Sequence, residues 1–168
     1  MMSAKTKIYI PNETTSNSVG SNDIFHVISS LKGFDEVEII RNGSWGAFWL
    51  EPFIEVEIDG NRKGACYKGV DLSHCKTIDD FMIDFQKREP FDISTIDFIK
   101  KQMRIVFSRI GKGDPLDIAF YQSNKGFNSL RNALNLDQQE VIDKIKKSGL
   151  TGRGGAAFPT GIKMQTVH

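Results

Sequence analysis

The chain has 168 residues, 39% of them hydrophobic and 26% charged, enough for one ordinary domain or one small domain plus an appendage. Twenty-two basic side chains face twenty-one acidic ones, so no long-range field steers the chain to nucleic acid or to anionic lipid. The start, MMSAKTKIYIPNETTSNSVG, has no apolar signal region, and no later stretch approaches the roughly 20 apolar residues of a membrane helix; the expected location is cytoplasmic, without direct membrane insertion.

Lys7 to Pro11 alternates apolar and polar residues and then meets proline, which predicts a short first strand. The polar run Asn12 to Gly20 reads as a loop. Ser21 is placed to cap a helix whose apolar positions Ile24, Phe25, Val27, Ile28 and Leu31 share a face, with Gly33 at its end. Glu36 to Arg41 reads as a second strand. The Asn42-Gly43 turn leads into an aromatic segment, then into FIEVEID, where Ile54, Val56 and Ile58 face one way and Glu55 and Glu57 the other. Asp59-Gly60 signals a hairpin into Asn61 to Tyr67. Thr77 with Asp80 forms a capping box for a helix faced by Ile78, Phe81, Met82 and Phe85. This order predicts a small α/β sheet domain over residues 1–89.

Pro90 marks a break. Ser94 with Asp97 repeats the capping pattern before TIDFIKKQMRIVF, and RIGKGDP from Arg109 is a turn-rich connector. Two short helices follow, LDIAFYQSN and FNSLRNAL, separated by Gly126. Next comes a helix opened by Asp137 and Glu140, with Val141, Ile142 and Ile145 as its inner stripe and Lys144, Lys146 and Lys147 at its end.

That helix runs into GLTGRGGAAFPTGIK, residues 149–163. Bare main chain lets amide groups approach phosphate oxygens that side chains would block. Gly152, Gly154 and Gly155 can present such amides, and Arg153 adds a planar, permanent charge suited to phosphate. Pro159 is placed at the first turn of a further helix, whose positive end would face the anion, with Lys163 one turn on. Phe158 offers a flat surface for a ring. By spacing alone the segment fits either an anion cradle or an ordinary turn between helices, because it matches neither the Walker pattern nor a dinucleotide fingerprint after a strand.

The wording of the loop says more. SGLTGRGGAAFPTGIK resembles the flavin-binding loop of the FMN and NADH-binding subunits of respiratory complex I (the 51-kDa subunit), NAD-reducing hydrogenases and NAD-dependent formate dehydrogenases. The preceding EVIDKIKKSGL and the upstream RIGKGDPLDIAFYQSNKGFNSLRNAL are similar to the same family. IIRNGSWGAFWLEPFIEVEIDG resembles the amino-terminal domain of the formate dehydrogenase beta subunit in particular. The resemblance implies a thioredoxin-like domain over 1–89, then, over 90–168, a helical connector and the start of a truncated flavin-binding domain. It further implies an oxidoreductase (diaphorase) subunit that binds FMN and NAD(H) and exchanges electrons with iron-sulfur subunits of a larger complex. Carried onto this sequence, Gly152, Arg153, Gly154 and Gly155 lie along the flavin and nucleotide phosphates, Phe158 stacks on the dinucleotide, and Lys163 meets the flavin phosphate or ribityl chain.

Departures from the family's wording sharpen that picture. Thr151 stands where arginine is usual, Met164 where tryptophan commonly follows the lysine, and Ala157 where complex I subunits carry glycine and formate dehydrogenase relatives alanine. A later nucleotide segment and the cysteine motif of the 4Fe-4S cluster have no counterpart here. The expectation is therefore the front part of a longer subunit, truncated or split, and inactive alone. Cys66 and Cys75 are the chain's only cysteines, too few for the cluster some relatives hold in the thioredoxin-like domain, so no metal ligand is assigned. The alternatives are a non-catalytic docking module, a hydrogenase diaphorase subunit or a complex I subunit. No catalytic residue is legible. His26 reads as structural, Trp45, Phe48, Trp49 and Phe53 as a buried hairpin cluster or a partner-facing patch, and Glu51 as a solvated turn residue.

Overall fold

Short alternating segments form four strands, β1 (Thr6–Tyr9), β2 (Val37–Ile40), β3 (Phe53–Ile58) and β4 (Asn61–Cys66), in a computed structural model that describes residues 6–168. The sheet order is β2-β1-β3-β4, with β1 parallel to β2 and antiparallel to β3, and β4 antiparallel to β3. A parallel pair needs a crossover, supplied by α1 (Thr14–Ser18) and α2 (Ser21–Ser29). The antiparallel pair needs only two residues. Asp59 and Gly60, with φ of 50° and 77°, give the turn whose twist suits a hairpin. The chain divides into two compact units, one ending at Phe120 and one running from Tyr121 to His168.

The first unit is mixed α/β. Ile8, Ile10, Ile54 and Val56 of the sheet bury against Ile24 and Ile28 of α2 and against Phe81 and Phe85 of α3 (Ile78–Lys87). The Thr77 hydroxyl accepts the Asp80 N–H, and the Asp80 carboxylate accepts the Thr77 N–H in return. Replacing Thr77 by alanine should cost about 1 kcal/mol, read as a lowered urea midpoint at unchanged slope.

Several expectations are corrected. The run Asn12 to Gly20 contains the short helix α1, because the Glu13 carboxylate accepts the Thr15 and Ser16 amides and caps it. Ser21 does not cap α2; its buried hydroxyl donates to the Pro11 carbonyl, and Gly20 precedes the helix without a side-chain cap. β3 is covered on both faces rather than one. Phe53 and Glu55 lie under a second cluster containing Ala47, Ile93 and Ile99, with Trp45, Leu50, Phe91 and Ile96 against it, while Ile58 is exposed at the strand end. Glu51 is buried, not solvated, and accepts the Phe53 N–H at 3.0 Å. Of the four aromatics, Phe53 is buried and Trp45 half-buried, whereas Phe48 and Trp49, in a 3-10 turn, are exposed.

No long helix follows Ser94. The Asp92 carboxylate takes the Ser94 N–H first, and only α4 (Asp97–Lys100) forms. Beyond it Met103, Ile105, Val106 and Phe107 are exposed, apolar residues bunched without the spacing that gives a helix one buried face.

α5 (Ile118–Ser123) carries the division between the units. The second unit continues with α6 (Asn128–Leu134), α7 (Gln138–Lys147) and α8 (Thr160–Val167). The capping box of α7 is present, since the Asp137 carboxylate accepts the Glu140 N–H at 3.0 Å and Glu140 reaches back to the Asp137 N–H. Of the expected stripe, Ile142 is buried while Val141 and Ile145 are half-buried.

Candidate functional site

The glycine loop is a closed excursion between two helices. α7 ends at Lys147 with Ser148 as its cap, and beyond Gly149 the residues Thr151 and Pro159 pair as an antiparallel bridge. The Gly152 N–H donates to the Phe158 carbonyl at 2.9 Å, and the Thr160 N–H to the Leu150 carbonyl at 2.9 Å. These bonds fix the stem and leave residues 153–157 as the tip, all exposed. Pro159 is the residue before α8 rather than within its first turn, and no side chain caps that helix.

All six candidate residues lie in this loop and helix start, as expected from their sequence positions. A Cβ at Gly154 or Gly155 would meet nothing within 4 Å, so both main-chain faces are open to a ligand, and neither amide has an acceptor among the described residues. Arg153 is folded onto its own loop, its Nη1 donating to the Thr151 carbonyl at 2.7 Å and hydroxyl at 2.8 Å. Thr151 therefore orients Arg153. Phe158 is 54% exposed, and Lys163 is exposed on α8. Open amides, a guanidinium and a bare ring suit a phosphate-bearing aromatic cofactor. Beside the stem lies a cleft of about 490 Å³ between Lys146, Leu150, Thr151, Pro159, Gly161 and Ile162.

The other segment singled out by its wording, RNGSWGAFWLEP, builds a buried polar cluster within the first unit. Glu55, 2% exposed, receives the Arg62 guanidinium and the Trp45 indole N–H, the latter at 2.9 Å. Burial pushes the Glu55 carboxyl above its ordinary range, and Arg62 and Trp45 oppose the rise. Arg62 also donates to the Gly111 carbonyl at 2.6 Å and lies 3.5 Å over the Tyr9 ring. The buried Asn42 donates to the same Gly111 carbonyl at 2.9 Å, and Arg104 to the Trp45 carbonyl at 2.7 Å. The connector at Gly111 is thus held down on the sheet. Glu55 and Arg62 were not singled out in the sequence. The usable signal was their diagonal placement across the hairpin, since Glu57 pairs with Arg62 and Glu55 with Gly64.

The cysteines carry no comparable chemistry. Burial, with the Asp84 and Asp80 carboxylates nearby, pushes the Cys75 thiol up and away from the reactive thiolate. Among the described residues no group of three or more His, Cys, Asp or Glu is placed to hold a metal ion, and no helix is long and apolar enough to cross a membrane.

No protein-family model matches the chain. A 64-residue stretch is 48% identical to the NADP-reducing hydrogenase subunit HndC of Solidesulfovibrio fructosivorans, covering 38% of this chain and 13% of that protein. A 47-residue stretch is 47% identical to an NADH-quinone oxidoreductase subunit of Streptomyces coelicolor, covering 28% of this chain and 10% of that one. The corresponding NADH-quinone oxidoreductase subunit of Aquifex aeolicus is 38% identical over 66 residues, 39% of this chain and 16% of the relative. The chain therefore has partial homology to these oxidoreductase subunits and matches only 10 to 16% of their length.

Proposed function

We propose that the chain is the amino-terminal portion of an NADH:acceptor oxidoreductase (diaphorase) subunit, with a thioredoxin-like domain leading by a helical connector into the first contact loop of a site for FMN and NAD(H). The observation that carries the reading is the loop tip, where the open faces of Gly154 and Gly155 stand beside Arg153 and the exposed Phe158. The relatives are NADH-quinone oxidoreductase and NADP-reducing hydrogenase subunits, which supports the same class and, with it, partner subunits. The sheet order β2-β1-β3-β4, with a parallel first pair joined through helices and an antiparallel hairpin followed by α3, supports the thioredoxin-like reading. Ala157 and the RNGSWGAFWLEP wording favour the formate dehydrogenase branch.

Bound FMN would supply the hydride and single-electron chemistry. The chain's own residues would do the holding: main-chain amides of residues 153–155 on phosphate, Arg153 as a charge-assisted donor, Lys163 as a second cation, and Phe158 against a ring.

The test is flavin binding by the full chain, alone and mixed with a polypeptide carrying the remainder of an NADH-quinone oxidoreductase subunit of the kind matched above, followed by quenching of FMN fluorescence. Quenching that is strengthened by the second polypeptide is expected, and Arg153→Ala should weaken it about tenfold or more. Gly155, at φ +93°, should not tolerate valine, and Gly155→Val should lose binding. No flavin retained in either mixture removes the reading.

A docking module without flavin chemistry is favoured by one observation, the exposed Phe48 and Trp49, with Trp49 edge-on to Phe98 at 4.9 Å. Exposed aromatics of this kind anchor interfaces. Capture of an iron-sulfur partner subunit that survives Arg153→Ala and Gly155→Val but fails in Trp49→Ala would select it.

A further inference from the structure

α8 has little apolar surface with which to hold its place. Ile162 and Val167 are 49% and 83% exposed, Met164 is only half-buried, and its buried residue is Gly161. Its attachment to α7 is instead a main-chain contact followed by a polar clamp. A Cβ added at Gly161 would stand 2.7 Å from the N and 2.8 Å from the Cα of Lys146, so the two helices cross with backbone against backbone. One turn later Gln165 Oε1 accepts Lys146 Nζ at 3.0 Å and Gln139 Nε2 at 2.9 Å. Residues 161 and 165 are four apart, on one face of the helix, and both meet Lys146. Gln139 is itself bonded to Asp143 Oδ1 at 2.8 Å, which holds the far side of the clamp.

The loop hangs between these two helices. Its stem bonds, from Gly152 to Phe158 and from Thr160 to Leu150, join the end of α7 to the start of α8. Any rotation of α8 on α7 therefore changes the spacing of the stem and the direction of the amides at its tip. The ammonium of Lys146 is engaged by Gln165, which fits a part in holding α8.

We propose that Lys146, Gly161 and Gln165 are positioning residues that set the aperture of the glycine loop without touching what it binds. The ligand named, FMN, rests on the function proposed above; the coupling of the clamp to the loop does not. The test compares Gln165→Leu, Lys146→Met and the double variant in the full chain by amide spectra of Gly152 to Gly155 and by FMN titration, with Gln165→Glu as the conservative replacement. Each single variant should move the loop amides in the same sense and weaken FMN binding about fivefold, the double variant should do no more than either single, and Gln165→Glu should restore both readouts. Unmoved loop amides in Gln165→Leu, or additive losses in the double variant, would overturn the proposal. So would tighter FMN binding in Gln165→Leu, which would make Lys146 a direct phosphate contact. Coupled amide shifts in a chain that binds no FMN at all would support the positioning role and sink the flavin reading.

Discussion

Arg62→Met should destabilise the first unit by about 3 kcal/mol at pH 8, the low end of what breaking a buried ion pair costs, because one edge of the arginine remains in contact with water. The side chains of Arg62 and Glu55 are 17% and 3% exposed, so the variant strands a carboxylate that solvent reaches poorly. The sign of its pH dependence follows from Glu55. Burial already lifts this carboxyl above the ordinary 4.5 against the pull of Arg62, and removing the arginine lifts it further. A carboxyl raised in the folded state adds stability below its unfolded pKa and loses that stability as pH rises through the folded value. The deficit of Arg62→Met should therefore shrink as the pH falls from 8 toward 5, because a protonated Glu55 needs no counter-charge. Urea unfolding at the two pH values measures it. Adding Glu55→Gln should flatten the difference, and a deficit of equal size at both pH values would remove Glu55 as its source.

How much of this was legible beforehand depends on the kind of signal. Features made by neighbours in sequence could be read directly: the Asp59-Gly60 hairpin, the boxes at Thr77/Asp80 and Asp137/Glu140, and the helix face of Phe81 and Phe85. Ser21 and Ser94 show where local reading fails. Each has the right residue type for a cap, yet Ser21 spends its hydroxyl on Pro11, and Ser94 lies inside a turn already capped by Asp92. The second face of β3 was hidden because much of its cover, Phe91, Ile93, Ile96 and Ile99, comes from far along the chain. Alternation placed Glu55 on the face opposite Ile54 and Val56, and only the folded sheet shows it buried there against Trp45 and Arg62.

The loop shows the same divide. Its glycines, Arg153 and Phe158 stood out by composition. Gly161 and Gln165 did not, because a close helix crossing leaves no periodic trace in so short a helix.

The connector glycine makes the sharpest case for distant packing, and Gly111→Val should cost about 4 kcal/mol or more. Gly111 sits at φ +74°, and an added Cβ would fall 2.5 Å and 2.6 Å from atoms of the Trp45 indole. The indole is tethered, since its N–H donates to Glu55 at 2.9 Å and the main-chain carbonyl of Trp45 accepts from Arg104 at 2.7 Å. The loop must lift instead. The Gly111 carbonyl then leaves both Arg62 and Asn42. Asn42 is 1% exposed and its Oδ1 already lacks a partner among the described residues, so the side-chain amide would lose the hydrogen bond it makes there. Urea unfolding should show the loss, with Trp45 emission shifted to the red in the folded variant. Combined with Arg62→Met the cost should be less than additive, because both substitutions break the Arg62 to Gly111 bond. A Gly111→Val chain within about 1 kcal/mol of the parent would mean that the connector does not depend on this contact, and that the indole has room the packing denies it.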